Sequence, residues 1–368
     1  MKYILYARKS TEEDDRQVLS IEAQIVELKE FAAKEKLEIV ASFEEAKTAK
    51  EPVKNIGSNH VLILGEEKFL ILMNPELKNK RVLITGVGIK PVGFVFTDIT
   101  TGQPSHTPVL VDGKEYKANL GTAIAFECAK AGAIVHLVAR TEANLQIVKK
   151  WIEKNISDAK VEYFAIDLND IVALQKLVKS IPDDLPLFWV QSVGLGAGTV
   201  KLKDDNPYLL IDDLSDELIE AELSVLKNTV SMLRLLLPKF RKQKETRVCV
   251  VSSMSAIRSV VSGSMHMAAK GAISRFTNAA MIELDPENIF ITDIRPGGAD
   301  TGMYDSKVVQ DTIIKISKTY GYDWSKKGGP KLIPPSSVGK AVVLALVSEG
   351  HITSINMVGR GQWPHEGS

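Results

Sequence analysis

The chain of 368 residues is poor in cysteine: Cys128 and Cys249 stand in apolar stretches and in no CxxC pair. That pattern excludes a disulfide framework and a zinc ribbon, and it fits a reducing compartment such as the cytoplasm. Histidine is scarce as well. His60, His106, His136, His351 and His365 are scattered without ligand spacing, so no metal is expected. Net charge is absent, with 46 Lys plus Arg against 46 Asp plus Glu, which argues against a general polyanion binder. No uninterrupted apolar run reaches the roughly 18 residues of a membrane span. The most apolar helix-like stretch, residues 223–240, carries Lys227, Arg234 and Lys239. The apolar run at the start is broken by Arg8 and Lys9, unlike a signal peptide. No internal repeat or low-complexity tract occurs.

What is present is an ordinary globular composition, 45% apolar and 25% charged. At roughly 150 residues per domain the length allows about two domains, or one large α/β domain with an attachment. Three segments read differently. Residues 1–52 give a β-α-β start. KYILYA and LEIVASF are the strands; Ser20 caps a helix with Ile21, Ile25, Leu28 and Ala32 on one face. Residues 53–78 are a junction in which VLILG and FLILM form either a hairpin or a linker, and Met73 opens what looks like a new domain. Residues 79–368 alternate strand and helix patterns, which predicts an α/β, doubly wound parallel sheet, Rossmann-like. Trp189 falls in a core strand pattern.

Thr85-Gly86 ends the first strand of the large segment. Such a turn lets backbone approach a pyrophosphate that the following helix N-terminus can hold. Here the turn and the helix are separated by an insertion, residues 89–118, and the helix opens at Asn119-Leu120-Gly121. Asp112-Gly113 within the insertion is a hairpin turn signal. On the glycines alone, a phosphate site and two unrelated turns are equally open.

The ordered set TG…NLG, VAR, AID, VVSS and RPGGADTG resembles the short-chain dehydrogenase/reductase family across about residues 79–368. The resemblance implies that Thr85, Gly86 and Gly121 form the pyrophosphate turn, with Asn119 where the family usually has glycine. Arg140 follows the second strand with no acid directly before it, which implies NADP rather than NAD. Asp167 would contact the adenine. Gln191-Ser192-Val193-Gly194 replaces the family's NNAG and keeps only Gly194. Pro296, Gly297 and Thr301 match the motif lying over the nicotinamide. Tyr320, Tyr322 and Trp324 fall where the family carries its substrate lid.

The family's catalytic Ser and Tyr-x-x-x-Lys place a phenol and an ammonium on one helix face. Ser253 and Lys270 match, but His266 holds the Tyr position. His266 could be the working acid/base, could mark a nucleotide binder that does little chemistry, or could leave the proton to Tyr304. The family's Asn on the long helix falls near Val225, with Asn228 one turn away. The resemblance implies an oxidoreductase acting on a small-molecule carbonyl/alcohol pair, as a homodimer or homotetramer built on the helix at 214–242. The alternative is a weakly active or inactive NADP-binding homologue that serves as a sensor or partner-binding module.

Tyr6-Ala7-Arg8-Lys9-Ser10 followed by LSIEAQ resembles the start of a serine recombinase (resolvase/invertase) catalytic domain. There Ser10 would attack a DNA phosphate and Arg8 would steady its charge. The resemblance stops near Pro52 and lacks the later Arg-rich segment. The first 52 residues carry 9 basic against 12 acidic side chains. A truncated remnant is the expectation, and a DNA recombinase that binds nucleic acid is the third and least favoured function.

Overall fold

The computed structural model describes residues 2–8, 26, 30, 33, 38–45, 60–63, 68–72, 76–97, 103–194, 210–259, 263–307, 309–311, 315 and 332–359. The chain divides into two units, Met1–Pro75 and Glu76–Ser368.

The first unit holds β1 (Lys2–Arg8), β2 (Glu38–Glu45), β3 (His60–Ile63) and β4 (Lys68–Leu72) in the order β2-β1-β4-β3. β1 and β2 are parallel, as a β-α-β start requires, and Val26, Glu30 and Ala33 between them are helical and exposed. The apolar stretches of the junction are not linker. β3 pairs antiparallel with β4, and β4 pairs antiparallel with β1, inside the unit Met1–Pro75. FLILM satisfies the edge of β1, which a lone β-α-β would leave open. Ser10, Ser20 and the proposed helix face Ile21, Ile25, Leu28 and Ala32 lie outside the described residues, as do Tyr320, Tyr322 and Trp324.

The second unit is built on a seven-stranded parallel sheet. Its strands are β5 (Arg81–Thr85), β9 (Ile134–Ala139), β10 (Lys160–Ala165), β11 (Leu187–Gln191), β12 (Thr246–Val251), β13 (Ile289–Pro296) and β14 (Ser354–Met357), in the order β10-β9-β5-β11-β12-β13-β14. The helices are α1 (Leu120–Lys130), α2 (Glu142–Asn155), α3 (Ile171–Ser180), α4 (Asp216–Phe240), α5 (Ser264–Leu284) and α6 (Pro335–Val347). Alternation along the strands feeds two cores. Val82, Ile84, Leu137 and Val190 pack with Ile124 of α1, Val148 of α2 and Val342 of α6. Leu83, Val138, Trp189 and Val248 pack with Leu177 of α3, Met232 of α4 and Ile273 of α5. Each such buried side chain contributes about 1.5–3 kcal/mol. An exposed pair such as Lys150 with Asp112 contributes only about 0–1 kcal/mol, so the two cores decide the fold. Cys128 and Cys249 are buried and unbridged; burial pushes the Cys249 thiol up to about 12 and raises that of Cys128 as well, which makes both inert.

The insertion is a small sheet of its own, not a lone hairpin. β6 (Ile89–Pro91), β8 (Lys114–Ala118) and β7 (Pro108–Val111) pair antiparallel in that order. Asp112 and Gly113 take φ of 51° and 75°, the two consecutive left-handed residues that an Asp-Gly hairpin turn supplies. Ile89 pairs with Ala118, so the insertion leaves and rejoins the sheet at neighbouring points. No helix among the described residues is long and apolar enough to cross a membrane.

Candidate active site

From β5 the chain runs outward to β9 and β10, then crosses back to β11. The order therefore reverses between β5 and β11, and such a switch point opens a crevice at the carboxyl ends of the strands. Gly86 lies on one lip with φ of 92°. A Cβ there would sit 2.6 Å from the Ser192 backbone. A Cβ on Gly121 would sit 2.5 Å from the Gly86 carbonyl oxygen.

Asn119 joins the two halves of this turn. Its Oδ1 accepts from Thr122 N at 2.9 Å, capping α1, and from Gly88 N at 3.1 Å; its Nδ2 donates to Gly86 O at 2.8 Å. Thr122 Oγ1 adds a bond to Gly88 O at 2.7 Å. The departure from glycine at position 119 is thus the residue that closes the split turn. A Gly121→Ala change must displace backbone, and such overpacking costs about 1–3 kcal/mol; a melting midpoint lowered by several degrees checks this, and an unchanged midpoint would show that the turn is slack.

Thr85 contributes differently from the expectation. It is fully buried; its hydroxyl donates to Val190 O at 3.4 Å and accepts from Trp189 Nε1 at 3.3 Å. Its side chain fixes the strand end and does not offer itself to a ligand. Beyond the crevice, Arg140 is exposed just past β9. Asp167 is exposed past β10, with Oδ1 accepting from Asn169 N at 2.9 Å and Asn169 Nδ2 at 3.0 Å. Gly297 N donates to Met357 O at 2.7 Å, and Thr301 N to Ala299 O at 2.9 Å, which shape the loop after Pro296.

The polar cluster lies at the ends of β11, β12 and β13. Ser253 caps a 3-10 turn at Met254–Ala256; its Oγ accepts from Ser255 N at 3.1 Å and Ser255 Oγ at 2.8 Å, and it lies 3.5 Å from Pro296 O. Against this turn packs α5, where a Cβ on Gly271 would lie 3.8 Å from Ala256 O. Lys270 on α5 is buried. Its Nζ donates to Val251 O at 3.2 Å and Val193 O at 3.5 Å, and a Cβ on Gly194 would lie 3.9 Å from it. Burial lowers its pKa to about 8, against the pull of the Glu222 and Asp293 carboxylates. Asp293 is fully buried and accepts from Ser252 Oγ, from Ser274 Oγ at 2.5 Å and from Arg295 Nε at 2.8 Å.

His266 stands one helical turn before Lys270, half-buried, with Nδ1 3.1 Å from Glu222 Oε1. A carboxylate only accepts, so Nδ1 carries the proton and Nε2 is the nitrogen left for exchange. Glu222 is 2% exposed. The sequence reading missed it, although the signal was there: Leu218, Glu222, Val225, Thr229, Met232 and Leu236 form one buried stripe of α4, and an acid in an apolar stripe needs a partner. Thr229 accepts from Gln191 Nε2 at 2.8 Å. Val225 belongs to the core, and Asn228 is buried on the same helix.

The second unit is similar to known proteins. Residues 113–311 match the family described as short chain dehydrogenase, and residues 3–55 match the Resolvase N terminal domain. The NADP-dependent 3-hydroxy acid dehydrogenase of Schizosaccharomyces pombe is 26% identical over 197 residues, 52% of this chain and 71% of that protein. L-sorbose reductase from Gluconobacter frateurii, solved with NADPH and L-sorbose, has a TM-score of 0.57 at 19% identity and covers 79% of this chain and 98% of its own. A short chain oxidoreductase from Pseudomonas aeruginosa PAO1, whose structure contains an atypical catalytic center, has a TM-score of 0.57 at 18% identity, with 79% and 99% covered. With its family match running through β8, the long helices and the loop after β13, this chain belongs to the short chain dehydrogenase family of oxidoreductases.

Proposed function

We propose that this chain is an NADP(H)-dependent oxidoreductase that interconverts a carbonyl and an alcohol, with His266 in place of the usual catalytic tyrosine. One observation carries the reading: Ser253 lies at the ends of β12 and β13, Lys270 on α5 reaches the ends of β11 and β12, and His266, one turn before Lys270, is backed by a buried carboxylate. The crevice fits a dinucleotide. The α1 N-terminus opens onto it. Ser192 Oγ and Gln191 Oε1, at its β11 lip, are buried without a hydrogen-bond partner among the described residues. Gly86, Asn119 and Gly121 would hold the diphosphate, Arg140 a 2′-phosphate, Asp167 the adenine, and Gly194, Pro296, Gly297 and Thr301 the nicotinamide half. When bound, the nicotinamide supplies or accepts a hydride at the substrate carbon.

The protein's own part is proton and charge. Ser253 donates a hydrogen bond to the substrate oxygen. During reduction His266 gives that oxygen the Nε2 proton, and in oxidation Nε2 takes it back. Glu222 keeps Nδ1–H pointed away from the substrate and steadies the imidazolium. Lys270 holds the cofactor ribose and adds positive charge, and Asn228 is the fourth polar group. Two of the three relatives named above are, by name, a 3-hydroxy acid dehydrogenase and an L-sorbose reductase, which supports this substrate class. Leu223 on α4 and Ile282 on α5, the latter 78% exposed, give the long helices an apolar surface that supports a homodimer or homotetramer.

NADPH should bind more tightly than NADH by roughly 10- to 150-fold, the worth of charge-assisted bonds to one phosphate. Arg140→Asp should reverse the order in a fluorescence titration. Equal affinities in the unaltered protein would remove the 2′-phosphate assignment. NADPH binding with no oxidation over a broad carbonyl panel would favour the nucleotide-binding, non-catalytic alternative.

A further inference from the structure

The insertion is fastened to the loop that follows β13 by one buried lysine. Lys117 is 0% exposed, and its Nζ donates to Asp300 Oδ1 at 2.6 Å and to Asp305 Oδ1 at 2.7 Å. The other carboxylate oxygens are also held from the insertion. Asp300 Oδ2 accepts from Ser105 Oγ at 2.6 Å, and Asp305 Oδ2 accepts from Gly93 N at 2.9 Å and Phe94 N at 3.2 Å. The Phe96 ring centroid lies 5.1 Å from the ammonium. An ion removed from water this completely persists only with full pairing and hydrogen bonding, and here all four carboxylate oxygens have donors. Two residues after Lys117, Asn119 caps α1 and ties the glycine turn. The Lys117 backbone therefore belongs to the diphosphate side, and its side chain ends on the loop of Pro296-Gly297 and Thr301.

We propose that Lys117 is a positioning residue: through Asp300 and Asp305 it fixes the loop at 297–305 relative to the turn at 86–122, so that both halves of a dinucleotide are gripped at a set spacing. This inference rests on the NADP(H) reading. Neither ionic partner is asked to touch the cofactor; each acts through the loop that carries Gly297 and Thr301. Here a direct tie spans the crevice.

The test uses Asp305→Asn, which keeps size and leaves the Lys117–Asp300 pair intact, so the variant can fold. Two ligands are titrated: NADPH, and 2′,5′-ADP, which has the adenosine half but no nicotinamide. Amide hydrogen exchange at 299–307 is measured alongside. The expected result is NADPH affinity weakened roughly 5- to 50-fold, a common range for coupled sites, with 2′,5′-ADP affinity unchanged and exchange at 302–305 faster. NADPH affinity equal to that of the unaltered protein overturns the inference. Equal weakening of both ligands also overturns it, because that marks a general structural loss. If the unaltered protein binds neither ligand, the NADP(H) reading itself falls and takes the inference with it.

Discussion

Replacing His266 by alanine should lower kcat/KM for carbonyl reduction about 10²- to 10⁴-fold, the usual worth of a positioned general acid, and leave NADPH affinity unchanged. The separation of the two effects follows from position. His266 lies on α5 one turn from Lys270, while the glycine turn that would hold the diphosphate is made by β5, Asn119 and α1. The companion change Glu222→Gln keeps the shape and removes the charge that faces Nδ1. A hydrogen bond to a charged group is worth about 1.5–3 kcal/mol, so kcat should fall roughly 10- to 150-fold. Steady-state kinetics on the two variants decide the matter. An alanine variant with full turnover would shift the proton to another group, Tyr304 first. A His266→Tyr variant that gains turnover would show that Ser253 and Lys270 already form a working frame.

Lys270→Met should be the most damaging single change, because it affects both binding and rate. The ammonium is buried among backbone carbonyls and holds its proton only up to about pH 8. Below that pH the charge is present at the site; above it the lysine is neutral. Reductive kcat/KM should therefore fall as pH rises through about 8, and the methionine variant should be slow at every pH and lack that limb. The same shift gives a stability statement of definite sign. The folded pKa lies below the ordinary lysine value of 10.5, so between about 8 and 10.5 the unfolded chain binds more protons than the native one. This group's contribution to stability accordingly rises with pH across that window. A rate profile flat from pH 7 to 10 in the unaltered protein would remove the lysine from the chemistry.

Much of the architecture could be read from local pattern. Strands such as Arg81–Thr85 and helices such as Glu142–Asn155 differ in hydrophobic period, and the Asp112-Gly113 turn announces itself by residue type. Ser253, Lys270 and His266 were singled out as candidates by their order along the chain. What escaped the reading is non-local. That FLILM returns to pair with β1 depends on contacts more than sixty residues apart, which periodicity does not record. Glu222 and His266 are separated by 44 positions, and Lys117 and Asp300 by 183. Glu222, Lys117 and Asp300 drew no reading of their own, because solvation, not burial, is the default for those side chains. Asn119 was legible in part. The sequence marked it only as standing where glycine is usual, and its bonds to Thr122 N and back to Gly86 O depend on the closed insertion.

That closure has a consequence for how the insertion relates to its host. Because Ile89 and Ala118 oppose each other on one rung, the excursion costs the dinucleotide fold no detour. The entropy of a longer excursion grows only slowly with its length, by roughly 0.6 kcal/mol per doubling. A doorway of this kind tolerates excursions of widely different length without re-laying any strand.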